Sequence, residues 1–335
     1  SVGSKSFMDS LDKLDDEQKQ AVLSPPGTLR IIAGAGTGKT TALTHRIAYW
    51  HHEGSIPASK ALAMTHTNKA AKELQKRLLK LGISDIAAKT FHAFARQILF
   101  QNWRYWQGDK PFPELIDGSE RYFALKSLTE RVLKSKADDK RFVREFTTDL
   151  GRDIDAELTV TRAKMIKPDK YLEEKTLYGP GNGLTRQDFQ TIYASYTTMK
   201  RSQNKVDFGD YLEFAIDMLE GMDDIRSKVQ NAYGYFYIDE YQDIDPVQAH
   251  LLNLVRGESK YLSVVGDPRQ TIYSFKGSEP KFLVDFDKNH PGAVSVELIK
   301  NYRSTSSIVD QANRLMLNTE YSKSRCKEQD FFKIR

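Results

Sequence analysis

One stretch constrains this 335-residue chain more than any other: TLRIIAGAGTGKTTALTHRI, beginning at Thr28. An apolar, strand-like run enters a glycine-rich turn and leaves it as a helix, so the turn presents backbone N–H groups where phosphate oxygens are held. Gly34, Gly36 and Gly38 leave room for that approach, with Ala35 and Thr37 between them. Lys39 places an ammonium between β- and γ-phosphates, Thr40 offers a hydroxyl to Mg²⁺, and Thr41 follows in the same helical turn. The first position of the G-x-x-x-x-G-K-[ST] pattern is Ala33, a tolerable departure.

The neighbouring sequence supplies the layers that such a turn needs. Residues 14–100 alternate short apolar runs (TLRIIA, KALAMTH) with helical stretches (KTTALTHRIAYWHH, KAAKELQKRLLKLG), the rhythm of a parallel sheet covered by helices. Across residues 101–205 the pattern changes to long charged segments such as RYFALKSLTERVLKSK and DFQTIYASYTTMKRSQ, and an inserted all-helical subdomain is expected. Strand signals return in YGYFYIDE and KYLSVVGD, so residues 206–318 resume the sheet. Trp103, Tyr105 and Trp106 read more readily as a core corner at the start of the insertion than as a platform for bases.

Composition adds bounds rather than a function. Hydrophobic residues at 39%, charged residues at 28% and a mean hydropathy of -0.56 describe a globular chain with enough apolar content for real cores. With 50 basic against 45 acidic residues the surface is mixed, and charge alone does not specify a polyanionic partner. A single cysteine, Cys326, excludes an internal disulfide framework and a Cys-rich zinc site. No apolar run reaches the roughly 18 residues of a membrane span, so a cytoplasmic protein without a membrane partner is expected.

A phosphate turn also needs a metal-holding acid at the end of a second strand, and YGYFYIDEYQDID provides Asp239, followed at once by Glu240. Asp239 then holds Mg²⁺ and Glu240 orients and deprotonates the attacking water; alone, the pair is equally an acidic strand cap.

DEYQD resembles the DExQD signature of the UvrD/Rep/PcrA group of superfamily 1 DNA helicases, and other segments agree in order across residues 14–318. The resemblance implies a RecA-like P-loop NTPase sheet with an inserted helical subdomain, hydrolysing ATP with Mg²⁺. LDDEQKQAV is similar to the adenine-reading element, which implies that Gln18 meets the base edge, and Arg46 matches an arginine that lies by the nucleotide. VVGDPRQTIYSFKGS implies that Gln270 senses the γ-phosphate and that Tyr273, with Phe275, stacks on bases. Phe275 and Lys276 stand where the family usually has Trp and Arg, which weakens the stacking surface. In ELIKNYRST, Tyr302 is implied under the adenine and Arg303 at the γ-phosphate.

For DNA, AMTHTNKAAKEL and KTFHAFARQIL resemble the segments lining the single-strand path, which implies contacts from Thr65, His66, Asn68, Lys69 and His92. His66 replaces the usual Phe and is as readable as a satisfied internal histidine. VDFGDYL implies an approach to DNA by Phe208, although Asp207 and Phe208 suit a structural role equally well. The full-length protein is then expected to carry a second RecA-like domain, of which residues 319–335 are the start or a tail. It is expected to move 3′ to 5′ on single-stranded DNA and to meet single-strand/duplex junctions. These 335 residues alone are expected to bind nucleotide without efficient unwinding. Two alternatives are the motor of a helicase–nuclease complex and a non-catalytic binding module; intact Lys39, Asp239, Glu240, Gln270 and Arg303 weigh against the second.

Overall fold

The computed structural model describes residues 2–52, 56–136, 145–270 and 281–299, with side chains described from Phe7 onward in the first segment. Helices α1 (Val2–Asp12) and α2 (Asp16–Leu23) lead into β1 (Thr28–Ala33), α3 (Lys39–His52), β2 (Ala61–Thr65), α4 (Asn68–Lys80), β3 (Ala88–Thr90) and α5 (Phe91–Gln107). The short strands β4 (Glu114–Leu115) and β5 (Lys205–Val206) bracket α6 (Gly118–Ser135), α7 (Thr148–Ala163) and α8 (Arg186–Ser202). Then follow α9 (Phe208–Gly221), α10 (Asp223–Ala232), β6 (Tyr235–Ile238), α11 (Pro246–Arg256), β7 (Leu262–Gly266), α12 (Lys281–Val284), α13 (Phe286–Asn289) and β8 (Val294–Leu298).

Among the described residues, six strands form one parallel sheet in the order β3-β2-β6-β7-β1-β8. Alternate residues of β2, β6 and β7 serve opposite cores, and β1 and β8 add to one of the two. Leu62, Met64, Phe236, Ile238, Leu262 and Val264 pack with α5, α9 and α11 on one face. Ala61, Ala63, Tyr237, Val265, Leu29 and Ile31 pack with α3 and α4 on the other. Burial on both faces explains why these strands read as continuous apolar runs without alternation. This is the α/β RecA-like sheet with a helical insertion that the sequence implied, and its carboxyl edge gathers the turns after β1, β2, β6 and β7.

The insertion has its own core, in which Leu125, Leu150, Ile154, Leu158, Phe189 and Tyr196 pack together. Its expected start at residue 101 falls inside α5, which runs unbroken to Gln107 and buries Phe94, Ile98, Leu99 and Trp103 in the sheet's core. Helical periodicity is the same on either side of a domain boundary, so the pattern carries no mark of where α5 changes neighbours. Trp103 meets Trp106 and Phe112 edge-on at 5.7 and 5.2 Å, which makes the expected core corner, while Tyr105 stays exposed.

Arg46 departs from its expected place beside the nucleotide. It is only 1% exposed, and Nε donates to Ser263 Oγ at 2.9 Å, Nη1 to the Ala21 carbonyl at 3.0 Å and Nη2 to the Pro25 carbonyl at 3.1 Å. The last carbonyls of α2 have no partners within their own helix, and a buried guanidinium needs several acceptors; each satisfies the other. Arg46 therefore ties α2 to α3 and β7. Arg46→Met is expected to cost about 3 kcal/mol of stability, by the scale of buried hydrogen bonds to charged groups. Urea unfolding followed by circular dichroism measures this, and an unmoved midpoint contradicts it.

Candidate nucleotide and nucleic-acid site

The turn after β1 is built as its glycines require. Gly36 and Gly38 have φ of 75° and 76°, in the left-handed region that a side chain rarely adopts. The Thr37 hydroxyl donates to the Gly34 carbonyl at 2.6 Å and closes the turn, and the Ala42 N–H reaches the Gly38 carbonyl at 3.0 Å as α3 begins. A Cβ on Gly38 would stand 2.2 Å from Gln18 Nε2 and would displace that amide, while the positive φ is what calls for glycine there. Ala35 is exposed at the tip, while Thr40 and Thr41 are half-buried in the first turn of α3.

Gln18 lies beneath this loop with its amide in use. Nε2 donates weakly to the carbonyls of Thr37 and Gly38, at 3.4 Å each, and Oε1 accepts the Asp15 N–H at 3.1 Å in the capping box of α2. A contact with an adenine edge requires that amide to exchange partners.

The second acid site is at the end of β6, and the sheet brings it to the phosphate turn. Lys39 Nζ lies 2.8 and 2.9 Å from the two carboxylate oxygens of Glu240, a residue 201 positions away. Glu240 has φ 51° and ψ 47°, a left-handed backbone that costs a non-glycine residue about 1 kcal/mol. Asp239 is buried; burial first, then the Glu240 charge, push its carboxyl up to about 6. As oxygen donors, the Asp239 carboxylate and the Thr40 hydroxyl are of the chemical kind that suits Mg²⁺, which keeps most of its coordination for phosphate and water.

A residue without a role in the sequence reading links this centre to the next strand. Gln242 Nε2 donates to Glu240 Oε2 at 2.6 Å, and its Oε1 accepts the Asp267 N–H at 3.0 Å. The Asp267 carbonyl in turn accepts the Gln270 N–H at 3.1 Å, so Gln242 joins Glu240 to the turn that carries Gln270. The available signal was an amide two residues beyond the paired acids, able to donate to one group and accept from another.

Beside this edge, a cavity of about 590 Å³ opens between the sheet and the insertion, lined among others by His66, Thr67, His92, Phe208, Asp243 and Gln248. His66 stacks on Phe91 with centroids 5.4 Å apart, and its Nε2 donates to the Glu240 carbonyl at 2.9 Å. One face of the ring is thus already covered. His92 meets Phe208 edge-on at 6.2 Å. Burial is the largest cause that drives both imidazoles down to about 4, so neutral rings face the cavity at neutral pH. Phe208 is 62% exposed at the start of α9, and Asn68 and Lys69 are exposed at the start of α4.

Thr65 is a correction. It ends β2 with 0% exposure, and its Oγ1 is buried without a hydrogen-bond partner, so its hydroxyl does not reach nucleic acid. A strand covered on both faces hides every residue, including the last. The exposed hydroxyl belongs to Thr67, which lines the cavity and caps α4 by accepting the Ala70 N–H at 3.1 Å. Tyr273, Phe275, Lys276, Tyr302 and Arg303 lie outside the described residues.

The profile of the UvrD/REP helicase N-terminal domain matches residues 14–291. The chain is 35% identical over 314 residues to the ATP-dependent DNA helicase UvrD2 of Mycobacterium tuberculosis, covering 90% of this chain and 43% of that protein. It is 32% identical over 320 residues to the ATP-dependent DNA helicase PcrA of Staphylococcus aureus, covering 94% and 41%. It is also 31% identical over 315 residues to a probable DNA helicase II homolog of Mycoplasma capricolum, covering 93% and 42%. The chain spans less than half the length of these relatives. With a phosphate turn, paired acids and an open cavity along one sheet edge, and with a profile match across most of its length, the chain belongs to the UvrD/REP helicase family.

Proposed function

We propose that this chain is the ATP-hydrolysing part of a DNA helicase motor and that it senses single-stranded DNA in the cavity beside the nucleotide. The observation that carries the reading is the position of Glu240. Its carboxylate pairs with Lys39 of the phosphate turn, while its backbone carbonyl accepts from His66 at the cavity. The residue best placed to activate water is therefore one bond from each site.

ATP brings the γ-phosphoryl group, and Mg²⁺ bound with it neutralises charge between the phosphates. Lys39 leaves Glu240 for the β- and γ-oxygens, and the released carboxylate accepts the proton of the attacking water. Gln242 keeps that carboxylate aimed, and Asp239 and Thr40 are the residues that would hold the ion. Gln270, Tyr302 and Arg303 complete the nucleotide contacts in this reading, with Gln18 at the base. On the DNA side, Phe208 and His92 offer ring surface, and Asn68 and Lys69 offer donors for phosphates, with Tyr273 and Phe275 further along the path. Movement 3′ to 5′, action at single-strand/duplex junctions and closure by a second RecA-like domain belong to the full-length protein in the same reading. Among the described residues no helix is long and apolar enough to cross a membrane. A cytoplasmic place is part of the proposal.

Asp243 supplies a pH test. It is 9% exposed, its Oδ1 has no hydrogen-bond partner, and burial followed by the Glu240 charge pushes its carboxyl up to about 7. Its folded value lies above the ordinary 3.8, so the folded state keeps a proton that the unfolded chain has lost, and stability falls as pH rises toward 7. Asp243→Asn is therefore expected to raise the melting temperature, measured without nucleotide or metal, more at pH 8 than at pH 5. An equal change at both pH values refutes the burial of charge at this position.

Two experiments test the functional reading. Lys39→Ala is expected to abolish binding of a fluorescent ATP analogue. In the full-length protein, Glu240→Gln is expected to bind it normally while turnover falls about 100-fold or more. Normal hydrolysis by Glu240→Gln removes Glu240 from its role. Phe208→Ala is expected to weaken binding of labelled oligo(dT) by about 5- to 150-fold, the scale of one lost base–aromatic stack. Unchanged anisotropy titrations would exclude the cavity as the DNA site.

A further inference from the structure

Beneath the exposed Phe208, a charge cluster buried at the junction of sheet and insertion takes no part in the chemistry above. Asp207, Asp210 and Glu213 of the α9 region face Arg162 of α7, Lys200 of α8 and Lys167, three carboxylates against three cations. Arg162 alone reaches all three acids. Its Nη1 lies 2.6 Å from both oxygens of Asp207, its Nη2 2.7 Å from Asp210 and its Nε 3.0 Å from Glu213.

The first two acids are the ones that set the start of α9. Asp207 Oδ1 accepts the Asp210 N–H at 3.0 Å, and Asp210 Oδ2 accepts the Asp207 N–H at 2.9 Å, a reciprocal cap. Phe208 is the first helical residue after that cap. Among the described residues its ring meets His92 edge-on at 6.2 Å and Tyr211 at 6.4 Å, and it is 62% exposed, so the backbone that the cap holds fixes the point from which the ring projects. The guanidinium also lies flat on the same helical turn: a Cβ on Gly209 would come within 2.8 Å of Arg162 Cζ.

We infer that Arg162, contributed by the helical insertion, is a positioning residue for single-stranded DNA, which fixes the cap of α9 so that Phe208 stands in the cavity. The inference rests on the proposed reading of that cavity as the DNA site. The planar fork suits the task, because an ammonium at this position has no fixed directions with which to satisfy three carboxylates at once. Lys200 and the Tyr196 hydroxyl, 3.0 and 2.9 Å from Asp207 Oδ2, support the cap from α8, and Lys200 also lies 2.7 Å from Asp210 Oδ2, but the atoms nearest a Cβ on Gly209 are those of Arg162. A consequence is that the seating of the insertion on the sheet is felt in the DNA cavity, with Arg162 as the side chain that meets all three acids.

A double-mutant cycle on the whole chain tests this, with oligo(dT) anisotropy as readout and ATP-analogue binding as the check on the fold. Arg162→Lys is expected to weaken DNA binding about as much as Phe208→Ala does, to add nothing in the Phe208→Ala background, and to leave nucleotide affinity unchanged. Gly209→Ala, which displaces the guanidinium without removing it, is expected to reproduce the loss. Equal fold-losses in both backgrounds, or full DNA affinity in Arg162→Lys, overturn the positioning role. If Arg162→Lys loses nucleotide binding too, Gly209→Ala decides: normal DNA affinity there overturns the role, and a loss that vanishes with Phe208→Ala upholds it. If Phe208→Ala leaves affinity intact, the DNA reading of the cavity falls, and the inference with it.

Discussion

Everything functional in this chain depends on a parallel sheet buried on both faces. Parallel strands return through crossovers, so all their carboxyl ends lie along one edge, and the turns that leave them are the backbone near which polar chemistry can collect. The sheet order sets β7 between β1 and β6, yet the turns beyond those strands converge until Lys39 and Glu240 form a direct ion pair. The fold therefore assembles a phosphate site from segments two hundred residues apart without needing either to be rigid alone. Glu240 retains a left-handed backbone at that point, a local strain that the surrounding contacts to Lys39 and Gln242 hold in place.

The interior is not purely apolar, and its buried cations are placed with purpose. Arg46 satisfies the carboxyl end of α2, and Arg162 satisfies the acids that cap α9. In each case a planar donor set meets several acceptors at once, which is the condition under which a buried guanidinium is tolerable. Burial raises the cost of charging Asp207, but the charges of Arg162 and Lys200 outweigh it and hold that carboxyl well below its usual range. The two arginines thus tie secondary elements together at places where hydrophobic contact alone would leave polar backbone unpaired.

Short polar bonds link the two halves of the proposed site. His66 reaches the Glu240 carbonyl, Glu240 pairs with Lys39, and Gln242 passes from Glu240 to the turn of Gln270. Any event that moves Lys39 toward phosphate changes the partners of Glu240, whose backbone already contacts the cavity wall. Under the proposed function, coupling between the two ligands would need a second arrangement in which these groups take other partners.

Much of this was legible from the sequence. The glycine-rich turn with Lys39 and Thr40, the paired acids after an aromatic strand, the parallel sheet and the helical insertion all follow from local patterns, because turns, caps and strand periodicity are short-range physics. What the tertiary structure alone decided depends on neighbours distant in the chain. It buried Thr65 and left Thr67 exposed, since both faces of β2 are covered. It drew Arg46 into the interior, where α2 presents unpaired carbonyls, and carried α5 past the expected boundary because its apolar face belongs with α9. It also brought Arg162 of the insertion under Asp207, through contacts that no periodicity or motif encodes, and set Gln242 of the DEYQD segment between two strand ends. Local sequence determined which groups are suited to phosphate, metal and bases; only the packing of distant elements decided which of them face a shared space and which are spent holding the fold together.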